Sequence, residues 1–280
     1  MESTAYGLVI LAALLHALWN VMVKASSDDR FVMGMLLMTP GMVVAIPLLF
    51  VVPGLSAEAW IYMAGSLVFH VTYYAFLVLA FRLGDLSQVY PIARGSAPLL
   101  LALVAYVLAG EVLSPLALTG VVVLSAGITA LSWRWSADPL ADPKVLAAAA
   151  ATAVFIAAYT YVDALGARAA VSPESFIVWF AFLQGATFVL TTLAVRRRRW
   201  WAAVRPQLWR GLGGGVIAAA SYSIMLWALT MGPIAVMAAL RETSVLFVVA
   251  MSGVYLKEPL GFRRIMAATA IVAGAALLRF

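Results

Sequence analysis

Two stretches decide how this chain is read: Tyr90-Pro91-Ile92-Ala93-Arg94-Gly95-Ser96, with Glu111 following, and Ala239-Leu240-Arg241-Glu242-Thr243-Ser244, with Glu258 following. Each places an arginine inside a membrane-length apolar run, 147 residues apart, and each arginine is followed 17 residues later by a glutamate. A charged side chain in hydrocarbon costs from about 2.5 to well over 10 kcal/mol, depending on how far it can snorkel. Carrying that cost twice at matching positions implies charges that face protein or water, not lipid. The pair therefore points to a duplicated membrane protein with a polar interior path.

Working outward, the composition agrees. Apolar residues make up 65% of the 280 and charged residues 11%, with a mean hydropathy of +1.03. Globular chains average about 45–50% and about 25%. At about 20 residues per spanning helix, such a chain holds about ten helices and no soluble domain. Spans are expected at 4–23, 32–52, 59–80, 87–109, 115–134, 144–163, 174–194, 211–231, 234–256 and 261–279. The connectors are short turn signals such as Pro53-Gly54, Ser114-Pro115, Ser172-Pro173 and Gly232-Pro233. The N-terminus lacks a basic leader region and reads as a first span, not a cleaved signal.

The 147-residue slide also aligns Leu99 with Leu246, Leu113 with Leu260, and Ala126-Gly127 with Ala273-Gly274. A slide of 148 aligns Tyr74 with Tyr222 and Gly84 with Gly232. Two repeats follow, 1–137 and 138–280, with five helices each. Because five is odd, the second repeat enters the membrane inverted. The expected fold is thus all-α, with ten transmembrane helices in two inverted five-helix repeats. Odd-numbered connectors carry 14 of the 18 Lys and Arg, including Arg196 to Arg199. The positive-inside rule places those loops in the cytoplasm, in a multi-pass protein of the inner membrane, with both termini outside.

Several chemistries are excluded. There is no cysteine, so disulfides and thiolate sites are ruled out. The two histidines lie on different helices with no metal-ligand spacing. Gly211-Leu212-Gly213-Gly214-Gly215 lacks the following Lys-Ser/Thr of a phosphate loop. No cofactor, no metal, no nucleic-acid partner and no enzymatic site is expected. The net charge of +6 is assigned to loops beside anionic lipid.

The candidate binding residues are Arg94, Arg241, His16, Trp19, Asn20, His70, Tyr74, Tyr90, Tyr159, Trp179, Tyr222 and Trp227. His16 and Asn20 are one turn apart on the first span, as are His70 and Tyr74 on the third. Together these residues would line an aromatic, hydrogen-bonding cavity for a small organic solute. Each aromatic taken singly also fits packing or the interfacial belt. An inverted repeat puts Arg94 and Arg241 each roughly 10 Å deep from opposite faces, at 1.5 Å per residue. That geometry predicts one charge near each mouth, with Arg94 the unpaired substrate contact and Arg241 partly neutralised by Glu242. A structural ion pair of Arg241 with Glu242 or Asp163 is the competing reading. Asp163 and Glu242 are the embedded carboxylates and the candidates for a coupling proton; desolvation favours a neutral carboxyl, a neighbouring arginine the carboxylate. Glu111 and Glu258 read as caps. Pro91 should break or bend the fourth span. Gly120 and Gly127 share a face, as do Ala267 and Gly274, allowing close packing in the core or in a homodimer; a monomer or homodimer fits.

Gly84-Asp85-Leu86-Ser87, Val89-Tyr90-Pro91-Ile92-Ala93-Arg94, Gly110-Glu111, Ala239-Leu240-Arg241-Glu242, Leu256-Lys257-Glu258 and Gly274 together resemble an EamA-type member of the drug/metabolite transporter superfamily. The resemblance runs along essentially the whole chain. It implies a ten-helix secondary transporter, an exporter or exchanger, working by alternating access and driven by protons or a counter-substrate. It also implies cytoplasmic termini, the reverse of the charge asymmetry. The expected cargo is a small polar or amphipathic metabolite such as an amino acid or organic anion. The alternatives are proton-coupled efflux of cationic drugs and a lipid head-group flippase or enzyme. Membrane lipids and, as coupling ion, protons are the other expected partners.

Overall fold

In hydrocarbon a backbone group has no water to bond, so consecutive apolar runs fold as helices that satisfy their own N–H and C=O groups. A computed structural model of the chain describes residues 3–24, 30–84, 86–132, 142–197, 200–256 and 261–279. The order is α1 (Ser3–Lys24), α2 (Arg30–Leu48), α3 (Ala57–Leu83), α4 (Leu86–Ala109), α5 (Pro115–Ser132), α6 (Pro143–Ala169), α7 (Pro173–Arg196), α8 (Trp200–Val204), α9 (Leu208–Ala228), α10 (Ile234–Arg241), α11 (Ser244–Leu256) and α12 (Phe262–Leu277). A single 3-10 turn, Arg205–Gln207, links α8 to α9. The described residues contain no strand. Seven helical segments are long and apolar enough to cross a membrane, and Val32–Leu48 and Pro115–Leu131 are shorter apolar helices.

The turn signals work as caps. Ser114, Ser172 and Asp142 each precede a proline and accept a hydrogen bond from the first turn of the helix that follows. Proline suits the first helical position because its missing N–H would be unpaired there anyway. Ser56 does double duty, capping α3 and donating to the Ala169 carbonyl at the end of α6.

Two elements differ from expectation. The sixth span ends at Ala169 and not near 163, which moves Asp163 from a helix end into the interior of α6. The ninth span is two helices, α10 and α11, meeting at Glu242-Thr243. The fourth, which contains Pro91, is assigned as one uninterrupted helix. The α8 segment and its 3-10 turn fill what the sequence reads as a loop.

α3 packs on α6 and α1 on α9; α2 packs on α7 and α9; α4 on α5 and α6; α5 on α12; α10 on α4 and α1. The α5–α12 contact is backbone to backbone. A Cβ on Gly274 would stand 2.6 Å from the Leu124 nitrogen, and one on Gly120 2.8 Å from the Gly274 carbonyl oxygen. Those glycines are therefore consumed within the chain. Large apolar side chains such as Phe50, Val107 and Trp209 lie exposed on the outside, as suits a lipid-facing surface. α10 is the reverse, with all eight of its residues buried.

Candidate functional site

The two arginines converge. Arg94, from α4, places a terminal nitrogen 3.1 Å from Oε2 of Glu242, and Arg241, ending α10, places one 3.6 Å from Oε1 of the same carboxylate. One glutamate thus joins both, which overturns the expectation of separate charges at opposite mouths with Arg94 unpaired. Burial explains it: Arg241 and Glu242 are 4% and 2% exposed, and a buried charge persists only where it is paired. The Arg94 guanidinium also lies 3.3 Å from Nε2 of His16 on α1. Arginine can only donate, so Nε2 accepts and the His16 ring is the neutral Nδ1–H tautomer.

The backbone tightens where the carboxylate is needed. Glu242, Thr243, Val245 and Leu246 bond to carbonyls three residues back, not four. Thr243 adds a side-chain bond to the Leu240 carbonyl at 2.7 Å. A 3-10 stretch within a helix commonly marks strain or a functional hinge.

A second polar cluster lies beside the first. Asp163 is fully buried, and its Oδ2 accepts a very short hydrogen bond from the Tyr222 hydroxyl and lies 3.8 Å from His70 Nε2. The Tyr222 oxygen is itself 3.3 Å from His70 Nε2. His70 Nδ1 sits 3.0 Å from the Ser66 carbonyl oxygen, so it must donate there. Tyr159 stacks on the His70 ring with centroids 4.1 Å apart, and Phe180 closes the other side at 5.1 Å. Arg241 acts electrostatically on Tyr159, Asp163 and His70, so the two clusters form one continuous polar region.

Between them a cleft is lined by Ala97, Pro98, Ile156, Thr160, Arg241 and Glu242 among others. Its volume of about 10 Å³ is on the order of one water molecule. Thr160 Oγ1 and Arg241 Nε are buried without a hydrogen-bond partner among the described residues. A solute with acceptor atoms would satisfy both once the helices part.

Of the other candidates, Tyr74 turns away, its hydroxyl over Gly34 and its ring edge-on to Phe188 at 4.9 Å. Asn20 donates its amide to the His16 carbonyl of its own helix at 2.7 Å, and Trp19 packs edge-on to His16. Trp179 meets Trp60 at 5.1 Å, away from the His70 ring. Trp227 is 43% exposed and joins neither cluster; its neighbours Met225 and Leu226 take the inward face of α9. Tyr90's side chain and Glu258 lie outside the described residues. Sequence reasoning passed over Phe180 and Ser66. Both were open to it: Phe176, Phe180 and Gln184 recur every four residues, and Ser66 lies one turn before His70.

The loop before α10 is clamped from two sides. Glu111, after α4, accepts from the Ile234 and Ala235 amides at 2.8 and 3.1 Å, capping α10 from elsewhere in the chain. Arg168, on α6, donates to the carbonyls of Leu229 and Gly232. The helix ending in Arg241 is thus held at its N-terminal side by two charged groups.

Residues 144–280, from the first turn of α6 onward, match the model of the EamA-like transporter family. The chain carries an EamA-like transporter domain. The family is part of the drug/metabolite transporter superfamily, and its members are membrane transporters of small molecules, not enzymes. A search of curated proteins finds no match. One solved structure, described only as the crystal structure of a protein, is similar over 99% of this chain and 96% of its own, with a TM-score of 0.74 and 22% identity. At that identity the likeness extends to the fold alone. This EamA-like chain is accordingly a multi-pass, all-helical membrane protein.

Proposed function

We propose that the protein is a secondary active transporter, working by alternating access, of a small polar or amphipathic solute that carries an acidic group. The observation that carries this reading is a buried and a half-buried arginine sharing one carboxylate at a tightened turn, beside unsatisfied polar atoms. Two guanidinium groups turned to one carboxylate bring several N–H donors to one place, and such donors suit an acidic ligand. The aromatic wall of Tyr159, Phe180 and Tyr222 suits an apolar portion of the same solute.

The architecture belongs to this reading as two inverted five-helix repeats, 1–137 and 138–280, crossing the membrane ten times. What supports it is the exchange symmetry of the packing. The α1–α9 contact is answered by α3–α6, and α4–α6 by α1 with α10 and α11. The α2–α7 and α5–α12 contacts each join equivalent helices. The basic odd-numbered connectors face the cytoplasm in this arrangement, in an inner-membrane protein.

The test is a thermal-shift screen of the purified protein against amino acids, organic anions, sugar phosphates and cationic dyes, since a ligand of the native state stabilises it. An acidic solute should raise the melting temperature of the wild type and fail to do so with Arg94→Ala or Arg241→Ala. The same solute should exchange across proteoliposome membranes only with the wild type. Stabilisation by cations alone, insensitive to both arginine changes, would establish cation efflux in its place.

A further inference from the structure

We propose that the His70–Tyr222–Asp163 trio is a proton-binding site, the seat of the transporter's coupling ion, and that Glu242 is not. The role as coupling ion rests on the transport reading; the proton site itself does not.

The two embedded carboxylates stand in opposite surroundings. Glu242 lies within 3.1 and 3.6 Å of two guanidinium groups. Adding a proton to it would remove the negative charge that both guanidinium groups face, so it is held as an anion. Asp163 is fully buried, and among the described residues no lysine or arginine lies within ion-pair distance of it. Its partners are a phenol and an imidazole, both able to pass a proton on. Its Oδ2 meets both of those groups, which makes it the oxygen placed to take a proton.

The groups facing the trio are few. From α3 come His70, Ser66 and Tyr73; from α6, Tyr159; from α9, Tyr222; and from α10, Arg241 at longer range. The α7 side contributes the uncharged Phe180. The Ser66 carbonyl fixes His70 Nδ1 as a donor, so in the neutral ring Nε2 carries the lone pair, on the side of Tyr222 and Asp163.

That arrangement defines a balanced transfer. A proton arriving at His70 forms an Nε2–H bond and makes the ring a cation. The Nε2–H bond then breaks as the Tyr222 oxygen takes that proton. In the same step the Tyr222 O–H bond breaks and its proton passes to Oδ2 of Asp163. The imidazole and the phenol are regenerated, the carboxylate becomes a carboxylic acid, and the trio carries one more positive charge than before. Nothing is oxidised or reduced. Because the aspartate comes from α6, the histidine from α3 and the tyrosine from α9, parting these helices separates donor from acceptor. Occupancy by the proton is thereby tied to helix packing.

The experiment takes the full-length protein in lipid vesicles and uses the proton alone as probe. Infrared difference spectra between acidic and alkaline buffer should show a protonated-carboxyl carbonyl band that Asp163→Asn lacks and Glu242→Gln keeps. Tyr222→Phe should shift the same band, because it removes the hydrogen bond to the carboxyl, and that variant guards against a misfolded Asp163→Asn. Dye-reported proton uptake over the same range should fall by about one proton per chain in Asp163→Asn. A band that survives Asp163→Asn, that disappears in Glu242→Gln, or that is absent from the wild type at every pH would overturn the assignment. So would unchanged proton uptake. None of these outcomes depends on finding the solute, so failure here is separable from failure of the transport reading.

Discussion

The fourth and ninth spans carry the same arginine at the same offset, yet one contains a proline and is assigned as continuous helix while the other has none and is interrupted. Pro91 lies in the second turn of α4, where it removes a single ladder bond near the start of the helix. The ninth span has alanines where a matching proline would fall, and its ladder nevertheless tightens at Glu242-Thr243. The cause is side-chain partnership. Glu242 must reach Arg94 on another helix, and the Thr243 hydroxyl competes for the Leu240 carbonyl. Local propensity therefore does not place the break; the need to neutralise two buried cations does. Two spans that match in sequence are thus unequal in backbone, with the ninth supplying the carboxylate for both arginines.

The largest expected effect attacks that shared carboxylate. Glu242→Ala removes the carboxylate that the buried Arg241 and the half-buried Arg94 share and should destabilise by about 3–5 kcal/mol, read as thermal unfolding in detergent. Arg94→Ala should be milder by the same measure, because Arg241 still offsets Glu242; equal losses would mean that the carboxylate is not shared. Next, Ala238→Pro gives the ninth span the proline that the fourth carries. Every residue of α10 is buried and its amide is needed there, so a loss of about 3 kcal/mol or more is expected, with helical content from circular dichroism falling as well. Glu111→Ala removes the acceptor for the Ile234 and Ala235 amides and should cost about 1–3 kcal/mol. Glu111→Gln, which retains one acceptor, should recover part of that loss in the same melting assay. The smallest effect is Pro91→Ala. It restores a ladder bond but loosens the unfolded chain, and stability should change by less than about 1 kcal/mol. A large loss there would show that the fourth span depends on its proline after all.

Much of this was legible beforehand for physical reasons. Membrane-length apolar runs in lipid have few folds open to them, so the helices follow from hydropathy and the Ser-Pro and Asp-Pro turns. Gly120, Gly127 and Gly274 were readable as a contact face because backbone approach needs the absence of a Cβ. That His70, Tyr159, Tyr222 and Asp163 turn inward was readable because polar groups in a span avoid lipid. Their partnership was not, since they come from three helices 59 to 152 residues apart in sequence. Trp227 and Trp179 misled because an amphipathic ring fits a lining, a belt or a packing contact equally well, and only helix rotation chooses among them. The sixth span was expected over 144–163; α6 continues to Ala169, and Gly166 within it packs tightly against Phe176.

By itself, then, the sequence determined the apolar surroundings, the helical class and the identity of the buried charges, all of which depend on local composition and spacing. Only the tertiary structure decided that both arginines meet one carboxylate, that the ninth span tightens there, and that Asp163 is left to a phenol and an imidazole. Those facts depend on distances between helices far apart in the chain. The energy of a buried charge is set by its nearest partner in space, whatever its neighbours in sequence.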